Sequence, residues 1–291
     1  MERIKYYAWL LKAIFLLDIH FLFIFSLSFG QKIDFLVKKY IFLFKNSLSP
    51  TKLARYKTIV LGEDIFFDHK YSLISYQKLF VTTKGFFECI NKTKIHTAID
   101  VGANLGFFSK TIRHFSPSAN IYAIEPVFSA RACLEENFKK DNLFQSFGIA
   151  LSDKQGNVRM TIPEVGTQNS MVSNSGSLVV PATTLDMFIK RNGISSIDLL
   201  KIDTETFEAH VLKGGKRALK ITKYLLLEVN LVDNNNKYTF SSLIALLFSK
   251  NYNFQLIKIK NYSQNTDRDE LFDCLFINTY FDRLSEKEIK Q

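Results

Sequence analysis

The stretch that most constrains the fold runs from Ala98 to Phe108 and reads AIDVGANLGFF. A short β-rich run that ends in Asp100 is followed by a turn with two glycines and then by a helix-like segment. Glycine permits positive φ angles and lets a ligand approach the backbone closely. The turn after the first strand of a nucleotide-binding α/β domain requires both properties, so the stretch predicts the opening strand–turn–helix unit of such a domain.

The spacing within the turn separates two kinds of ligand. A dinucleotide site has the pattern G-x-G-x-x-G, whereas this chain has Asp100, Gly102, Asn104 and Gly106 at alternate positions. A pyrophosphate has no need of an acid before the first glycine, but S-adenosylmethionine carries an ammonium and a sulfonium and no phosphate. Glu125 ends the next predicted strand, where a carboxylate can accept hydrogen bonds from ribose hydroxyls. We therefore expect a nucleoside cofactor; the alternative is a helix cap at Asn104 and a solvated acid at Glu125.

Length and composition fit one large α/β domain with an extension. The chain has 291 residues, is 47% hydrophobic and carries a formal net charge of +10. Such a charge can indicate nucleic acid or an anionic membrane, but the lysines are scattered and no basic run alternates with aromatics. We expect no nucleic-acid partner. Cys89, Cys133 and Cys274 are far apart and lack metal or redox spacing, which favours a reducing compartment and no metal site.

The N-terminal part of the chain is strongly apolar and allows three interpretations. Trp9 to Phe29 is long enough to span a membrane, but Asp18 near its centre offsets most of the gain from Leu and Phe. A signal peptide would place Ser26 and Ser28 before a cleavage point. We favour a helix or helical pair that lies on a membrane surface or packs on the main domain, because Asp18 costs less at an interface. A cytoplasmic protein with membrane-surface contact through residues 1–30 is the resulting expectation.

From His96 onward, strand and helix patterns alternate, which predicts a parallel sheet of about seven strands with right-handed crossovers. The predicted strands are Thr97–Val101, Asn120–Ile124, Phe144–Ile149, Ile197–Asp203, Lys223–Val229 and a closing antiparallel pair, Tyr252–Ile259 with Leu271–Ile277. The predicted helices are Phe107–Phe115, Phe128–Lys139, Thr184–Lys190, Ala209–Leu212 and Phe240–Phe248. The fold class is therefore α/β, a mostly parallel doubly wound sheet with a helical N-terminal extension.

Other segments are less regular. Gln31 to Lys45 has helical spacing, and residues 46–50 break it. The remaining predictions are a hairpin of Thr58–Leu61 with Tyr71–Ile74, a short helix Gly85–Lys92, and β-like runs Asn157–Pro163 and Ser177–Pro181. The loop Gly166–Gly176 between those runs is either a lid over a substrate or a solvated surface loop.

Acids stand at or near the ends of four predicted strands: Asp100, Glu125, Asp203 and Glu228. The carboxyl ends of parallel strands meet at one edge of a sheet, so these acids are expected around one crevice. Strand-end acids are also common simply because loops are polar. Methyl transfer to a hydroxyl requires alignment of the reactants and removal of a proton, and a carboxylate crowded by others can accept that proton.

Asp203 and Glu205 are the predicted bases, and His210 is the next candidate. The simpler interpretation of Glu208 and His210 is an exposed helix face. Asp203, Glu205 and Glu228 could alternatively hold a divalent cation, because hard oxygen ligands suit magnesium.

Together these stretches resemble the FkbM family of S-adenosylmethionine-dependent methyltransferases. The matching segments, which cover roughly Lys94 to Asn230, are Ile99–Gly106, Ala123–Pro126, Ile149–Asp153, Thr183–Asp186, Leu199–Glu205 with Glu208, Val211–Gly214 and Leu226–Glu228. The resemblance implies a Rossmann-like class I methyltransferase fold and O-methylation of a hydroxyl on a sugar, a glycolipid or a related natural product. The acceptor would be a small molecule, a glycan or a lipid.

The resemblance also implies residue roles. Asp100, Gly102, Asn104 and Gly106 would line the methionine end of the cofactor, Glu125 would hold the ribose, and Ser152 and Asp153 would lie near the adenine. Thr206 stands where the family usually has glycine, so a narrower acceptor pocket is expected there. The resemblance does not reach the part before about Lys92, which is interpreted from its residues alone. The expected organisation is an apolar helical extension over residues 1–50, a linking segment over 51–95, the methyltransferase domain over 96–280 and a polar tail over 281–291.

Two other functions compete with this one. A nicotinamide-dependent oxidoreductase is disfavoured by the glycine spacing and by the strand-end acids. A non-catalytic binding module that retains a cofactor fold is kept open by Thr206 and by the apolar N-terminus.

Overall fold

The computed structural model describes residues 15–23, 27–45, 56–60, 63–69, 72–90, 94–162, 171–173, 175–230, 240–249, 252–261 and 271–281. Residues 15–22 are helical. The further helices are α1 (Phe29–Lys45), α2 (Ser72–Ile90), α3 (Phe107–Phe115), α4 (Phe128–Phe138), α5 (Leu185–Arg191), α6 (Glu208–Lys213), α7 (Lys216–Lys220) and α8 (Phe240–Leu247). The strands are β1 (Tyr56–Val60), β2 (Glu63–Phe67), β3 (Thr97–Val101), β4 (Asn120–Ile124), β5 (Phe144–Phe147), β6 (Ala150–Ser152), β7 (Gly156–Thr161), β8 (Met171–Val172), β9 (Leu178–Thr184), β10 (Ile197–Ile202), β11 (Thr222–Asn230), β12 (Phe254–Asn261) and β13 (Leu271–Asn278).

Seven strands form the central sheet in the order β5–β4–β3–β10–β11–β13–β12. Strands β5, β4, β3, β10 and β11 run parallel, and β13 is antiparallel to both of its neighbours. This confirms the predicted mostly parallel sheet of seven strands with a closing antiparallel pair. The chain winds outward in both directions from the boundary between β3 and β10, so a crevice opens at the carboxyl ends of these two strands.

Alternation along the central strands divides the core into two layers. Ile99 and Leu200 belong to the layer that contains residues of α5, α6 and α8, whereas Ala98 and Leu199 belong to the layer that contains residues of α2 and α3. All four side chains are fully buried. Because the period of a strand is two residues, Asp100 continues the second layer and faces α3 rather than solvent.

The segment before the central sheet differs from the prediction. Strand β1 pairs antiparallel with β2, and not with Tyr71–Ile74 as predicted. Ser72 begins α2, a helix of 19 residues that replaces the short helix predicted at Gly85–Lys92. Its buried residues Leu73, Tyr76 and Phe80 recur at intervals of three and four, the spacing of one helix face, and this periodicity outweighs the local β propensity.

A second sheet of four strands, in the order β6–β9–β7–β8, lies between β5 and β10 in the chain. The predicted strand Phe144–Ile149 ends at Phe147, and a separate strand, β6, pairs parallel with β9. The predicted loop Gly166–Gly176 contains β8, whose backbone pairs with the end of β7. Residues 163–170 and 174 lie outside the described part of the chain, so the lid stays a prediction.

The described N-terminal helices pack on the main domain. Phe21, Phe35 and Phe42 share a buried cluster with residues of β2, α2 and α3. Ser28 and Gln31 form a reciprocal capping box at the start of α1: the Ser28 N–H donates to Gln31 Oε1 (2.8 Å) and the Gln31 N–H donates to Ser28 Oγ (3.2 Å). The helical pair expected from the sequence is therefore docked on protein over its inner face.

Asp18 takes part in this docking. Its carboxylate forms a buried ion pair with Lys39 of α1. Gln77 of α2 joins the two by donating to Asp18 Oδ1 (2.8 Å) and accepting from Lys39 Nζ (3.0 Å). The charge of Asp18 is therefore compensated inside the protein, as suits a helical pair that packs on the main domain.

Within the described ranges, no helix combines the length and the hydropathy that crossing a bilayer requires. Residues 9–14 and 24–26 of the predicted span lie outside those ranges, as does Ser26 of the predicted signal peptide. The predicted break at residues 46–50 and tail residues 282–291 do so as well.

Candidate functional site

The turn between β3 and α3 is built around two glycines. Gly102 has φ +77°, and a Cβ there would stand 1.7 Å from the backbone oxygen of Asp203. Gly106 has φ +82°, and a Cβ would stand 2.4 Å from Leu134 Cδ1. Gly102 therefore allows the ends of β3 and β10 to approach each other, and Gly106 allows α3 to pack on α4. Asn104, between them, also has a positive φ of 49°.

Glu125 fixes the turn from the end of β4. Its Oε2 accepts from the Asn104 N–H (2.8 Å) and its Oε1 accepts from the Val127 N–H (2.7 Å). Burial of the carboxyl raises the pKa of Glu125 to about 7. Two oxygens offer about four acceptor positions, so capacity remains for a ligand's hydroxyl groups.

Asp100 and Lys201 form the buried floor behind the crevice. Asp100 is fully buried, its Oδ2 accepts from Ser109 Oγ (2.6 Å), and its Oδ1 lies 3.6 Å from Lys201 Nζ. The same ammonium is 2.9 Å from Asp203 Oδ2 and 5.3 Å from the centre of the Phe108 ring.

Charge and burial oppose each other at this pair. Burial raises the pKa of Asp100, against the effect of Lys201. Burial alone would lower the pKa of Lys201, but the charges of Asp203 and Asp100 outweigh it and raise the pKa above its ordinary value. Lys201 therefore stays protonated and holds the two carboxylates in position.

Glu228 and Asp273 extend the acidic edge. They are directly opposed on β11 and β13, and both continue the sheet face that carries Lys201. Burial raises the pKa of Glu228 well above the ordinary glutamate value, and the charges of Asp203, Glu205 and Asp273 raise it further. The predicted gathering of strand-end acids at one edge is thus present in the structure.

The loop after β10 has an unusual backbone. Glu205 (φ 51°) and Thr206 (φ 80°) are consecutive residues with positive φ and with side chains. Glu208 closes the loop: its Oε1 accepts from the Thr204 N–H (2.7 Å) and from Thr204 Oγ1 (3.0 Å). Glu208 is buried, contrary to the predicted exposed helix face, and burial raises its pKa.

A cavity of about 340 Å³ lies at the crevice. The predicted residues that line it are Gly102, Asn104, Glu125, Asp203 and Glu205, together with Glu228. Its other lining residues come from α2, the β3–α3 turn, α3, the ends of β4 and β10, β6, β7 and β8: Ser75, Lys78, Leu79, Val101, Ala103, Leu105, Phe107, Phe108, Ile124, Pro126, Ile149, Ala150, Leu151, Met160, Val172, Lys201, Thr204 and Phe207.

Several predicted residues do not line this cavity. Asp100 lies behind it, where it contacts Ser109 and Lys201, and Gly106 packs against α4. Ser152 and Asp153 contact each other (3.1 Å) next to the lining segment Ile149–Leu151, but outside the lining itself.

His210 also lies away from the cavity lining. Its ring stacks on Phe207, with ring centres 4.1 Å apart and planes at 9°. Burial lowers the pKa of His210. Thr206 is exposed and does not line the cavity, so the expected narrowing of the pocket by its side chain is not what the structure has.

The sequence pattern missed Lys201 and the wall contributed by α2. A lysine within a strand resembles any exposed strand lysine, and only its register opposite Asp100 reveals the pairing. Ser75, Lys78 and Leu79 line the cavity from a helix that was predicted to begin later in the chain.

The magnesium alternative has no geometric support. Across the described residues, no group of three or more His, Cys, Asp or Glu side chains is placed to hold a metal ion. Lys201 Nζ, 2.9 Å from Asp203, already supplies a positive charge beside these acids.

Comparison with known proteins gives a family match and several distant relatives. The model of the "Methyltransferase FkbM domain" matches residues 100–256, more than half of the chain. The 2-O-methyltransferase NoeI of Sinorhizobium fredii is 25% identical over 45% of this chain and 61% of its own length. The hexuronic acid methyltransferase AglP of Haloferax volcanii is 25% identical over 45% of this chain and 54% of its own length.

The AMB antimetabolite synthetase AmbE of Pseudomonas aeruginosa is 27% identical over 53% of this chain and 9% of its own length. The chain therefore spans less than two thirds of each of these relatives. The family match confirms the predicted Rossmann-like class I fold and the predicted cofactor, S-adenosylmethionine.

Proposed function

Since the chain belongs to the FkbM methyltransferase family, we propose that it transfers a methyl group from S-adenosylmethionine to a hydroxyl of a sugar, a glycolipid or a related natural product. The observation that carries the proposal is the 340 Å³ cavity at the point where the sheet reverses its winding. Acids from the ends of β4, β10 and β11 line it, and they suit a cofactor with positive groups and hydroxyls but no phosphate.

The residues of the cavity fit that cofactor. Gly102 lets the backbone of Asp203 come close to the turn, because a Cβ at residue 102 would overlap the Asp203 carbonyl oxygen. Glu125 is anchored with acceptor capacity to spare. Ile149 to Leu151 and Ile124 form an apolar wall suited to a flat base. Asp203 and Glu228 place carboxyl groups in the cavity lining for the ammonium and sulfonium.

When bound, S-adenosylmethionine supplies a methyl group activated by a positive sulfur. The chain must then position the acceptor hydroxyl and take its proton. The candidates that line the cavity are Asp203 and Glu205, as predicted, and Glu228, which we add. Lys201 fixes Asp203 through the 2.9 Å ion pair, and His210 is the weaker candidate because it lies outside the lining.

The names of two relatives support a hydroxyl acceptor. NoeI is a 2-O-methyltransferase, and AglP acts on a hexuronic acid. Two polar residues of α2, Ser75 and Lys78, also line the cavity, which suits a polar acceptor.

A reducing, cytoplasmic location belongs to the same proposal. None of the three cysteines, Cys89, Cys133 and Cys274, is in a disulfide, and two of them are buried. Buried cysteines outside disulfides are typical of proteins that work where disulfides are not formed.

Calorimetry with S-adenosylhomocysteine and, separately, with NAD tests the choice of cofactor. We expect S-adenosylhomocysteine to bind and NAD not to bind. Binding of NAD alone would show a nicotinamide enzyme. Binding of S-adenosylhomocysteine without any methyl-sized mass gain among cell-surface glycans and lipids, compared with a deletion strain, would favour a non-catalytic module.

Replacement of the predicted base tests the chemistry. In Asp203→Asn we expect the turnover number to fall at least about a hundredfold, the usual contribution of a general base. The matched control is Glu135→Gln, an exposed acid on α4, which should keep full turnover. Wild-type turnover with an unchanged pH profile in Asp203→Asn would remove Asp203 from the mechanism.

A further inference from the structure

Helix α1 carries large apolar side chains on two faces. The inner face, Lys32, Phe35, Lys39 and Phe42, is buried on the main domain. The outer face carries large apolar side chains spaced by three and four residues, which places them on one stripe of the helix. This outer stripe consists of Phe29, Ile33, Val37, Tyr40, Ile41 and Phe44, whose exposed fractions range from 40% to 82%. The Tyr40 hydroxyl reaches the inner face, where it donates to Asp18 Oδ2, but within the described residues the six side chains stay largely exposed.

Exposed apolar side chains are concentrated in this part of the protein. Phe15, Leu16 and Phe23, just before α1, are also 41% to 66% exposed. With the outer stripe they make nine of the seventeen exposed large hydrophobic residues in the described ranges. The other eight are spread between Ile59 and Tyr280. A concentration of this kind marks an interaction surface, whereas single exposed apolar residues do not.

The charge of the same region identifies the partner. Residues 1–57 contain ten Lys or Arg and three Asp or Glu, a net charge of +7 out of +10 for the whole chain. Lys32 and Lys39 of this count are buried on the inner face and Lys38 pairs with Asp34, so most of the excess comes from the stretches of sequence before and after α1. An apolar helix face flanked in sequence by basic residues suits a bilayer surface with anionic lipid, where apolar burial and electrostatic attraction add. A second copy of the chain would bring the same positive charge to the contact and would be repelled.

We propose that the outer stripe of α1 docks the protein on the surface of a membrane that contains anionic lipid. The helix lies in the plane of the interface and does not cross it. Asp18 and Lys39 stay paired beneath it in the protein, so no charge has to enter the lipid. This proposal does not depend on the methyl-transfer reaction.

Flotation of the full chain with vesicles tests the proposal. We expect the wild type to float with vesicles of equal parts phosphatidylcholine and phosphatidylglycerol, and to float much less with phosphatidylcholine alone. About 0.5 M NaCl should release most of the bound protein, because salt screens the attraction. The triple variant Ile33→Gln, Val37→Gln, Phe44→Gln should lose about tenfold or more in partition, since three apolar side chains leave the interface.

The matched control is Val179→Gln, Phe248→Gln, Ile259→Gln, which changes exposed apolar residues far from α1 in the chain. This control should float like the wild type, and both triple variants should bind S-adenosylhomocysteine if they are folded. Absence of wild-type flotation, or equal loss in both variants, would overturn the proposal. So would a wild-type dimer that the α1 variant dissociates, because the outer stripe would then be a contact between copies.

Discussion

Thr206 has a backbone conformation that disfavours its own side chain. A β-branched residue at φ 80° crowds its Cβ against the backbone, and the neighbouring Glu205 shares the left-handed region. The family usually has glycine at this position. Threonine in place of glycine does not change the cavity lining, since Thr206 is exposed. The substitution is therefore expected to affect the free energy of unfolding.

We expect Thr206→Gly to raise the free energy of unfolding by about 1 kcal/mol, because a left-handed residue with a side chain costs about that much. Urea unfolding measures the change. The control is Thr161→Gly in β7, an exposed threonine in extended backbone, which should lose stability because glycine gains freedom in the unfolded chain. Equal losses in both variants would contradict the assignment of strain to Thr206.

Glu125 links cofactor binding to pH. Burial raises its pKa to about 7, so the carboxyl is protonated in the free protein below that pH. A ribose hydroxyl is held by the ionised form, and binding below pH 7 must release a proton. Affinity for S-adenosylhomocysteine should therefore rise about tenfold between about pH 6 and pH 8 and then level off.

Calorimetry across that range measures the rise. Glu125→Gln should bind more weakly at every pH and show no rise, whereas the exposed Glu135→Gln should keep the wild-type profile. A flat wild-type profile would rule out Glu125 as the proton-linked group.

At the scale of elements, the turn after β3 sets how closely two strands and two helices approach. Gly102 has a positive φ and also faces the backbone of Asp203, so its replacement carries two costs. Gly193 separates these costs: it has φ +65°, but a Cβ there would have nothing within 4 Å.

We expect Gly193→Ala to lose about 1 kcal/mol of unfolding free energy from backbone strain alone. Gly102→Ala should lose at least about 2 kcal/mol more, because the β3–β10 contact has to open. Denaturant unfolding gives both values, and calorimetry should show weaker S-adenosylhomocysteine binding only in Gly102→Ala. Equal losses in the two variants would mean that the close approach of residue 102 to Asp203 adds no cost to its replacement.

The elements differ in how far the sequence predicts them. The alternation around β3, β4 and β10 was predictable, because each of these buried strands is followed by a helix and Asp100, Glu125 and Asp203 mark strand ends. Helix α2 was misread because Tyr71–Ile74 satisfies a β pattern over four residues. Its helical period becomes clear only over the longer run from Leu73 to Ile90, whose apolar residues meet the core.

Side-chain pairing in the site was less accessible to sequence reasoning. The pairs Asp100–Lys201 and Glu228–Asp273 depend on strand register, which residue spacing does not give. Spacing was also insufficient for Ser152 and Asp153. They follow the lining segment Ile149–Leu151 in the sequence, but their side chains contact each other.

At the scale of the whole molecule, the buried acids of the site lower the free energy of unfolding. Glu228 has a folded-state pKa raised by burial and by neighbouring carboxylates, whereas the unfolded chain gives it the ordinary value near 4.5. The folded protein therefore binds this proton more tightly, and stability falls as pH rises from about 4.5 through the folded pKa.

Glu228→Gln removes this ionisation. We expect its unfolding free energy to exceed that of the wild type. The difference should grow between about pH 5 and about pH 8, because only the wild type loses stability as Glu228 ionises. Urea unfolding at several pH values measures it, with Glu135→Gln as the exposed control. An advantage that is constant or shrinks with rising pH would contradict the raised pKa.

The contact of Gln77 with both Asp18 and Lys39 has a consequence for protein engineering. A chimaera that takes its leading helices from another family member would leave the buried Gln77 amide without its two partners unless position 77 were exchanged as well. The crossover point for such hybrids should therefore lie after α2, at residue 91 or beyond, and not at the boundary predicted near residue 50.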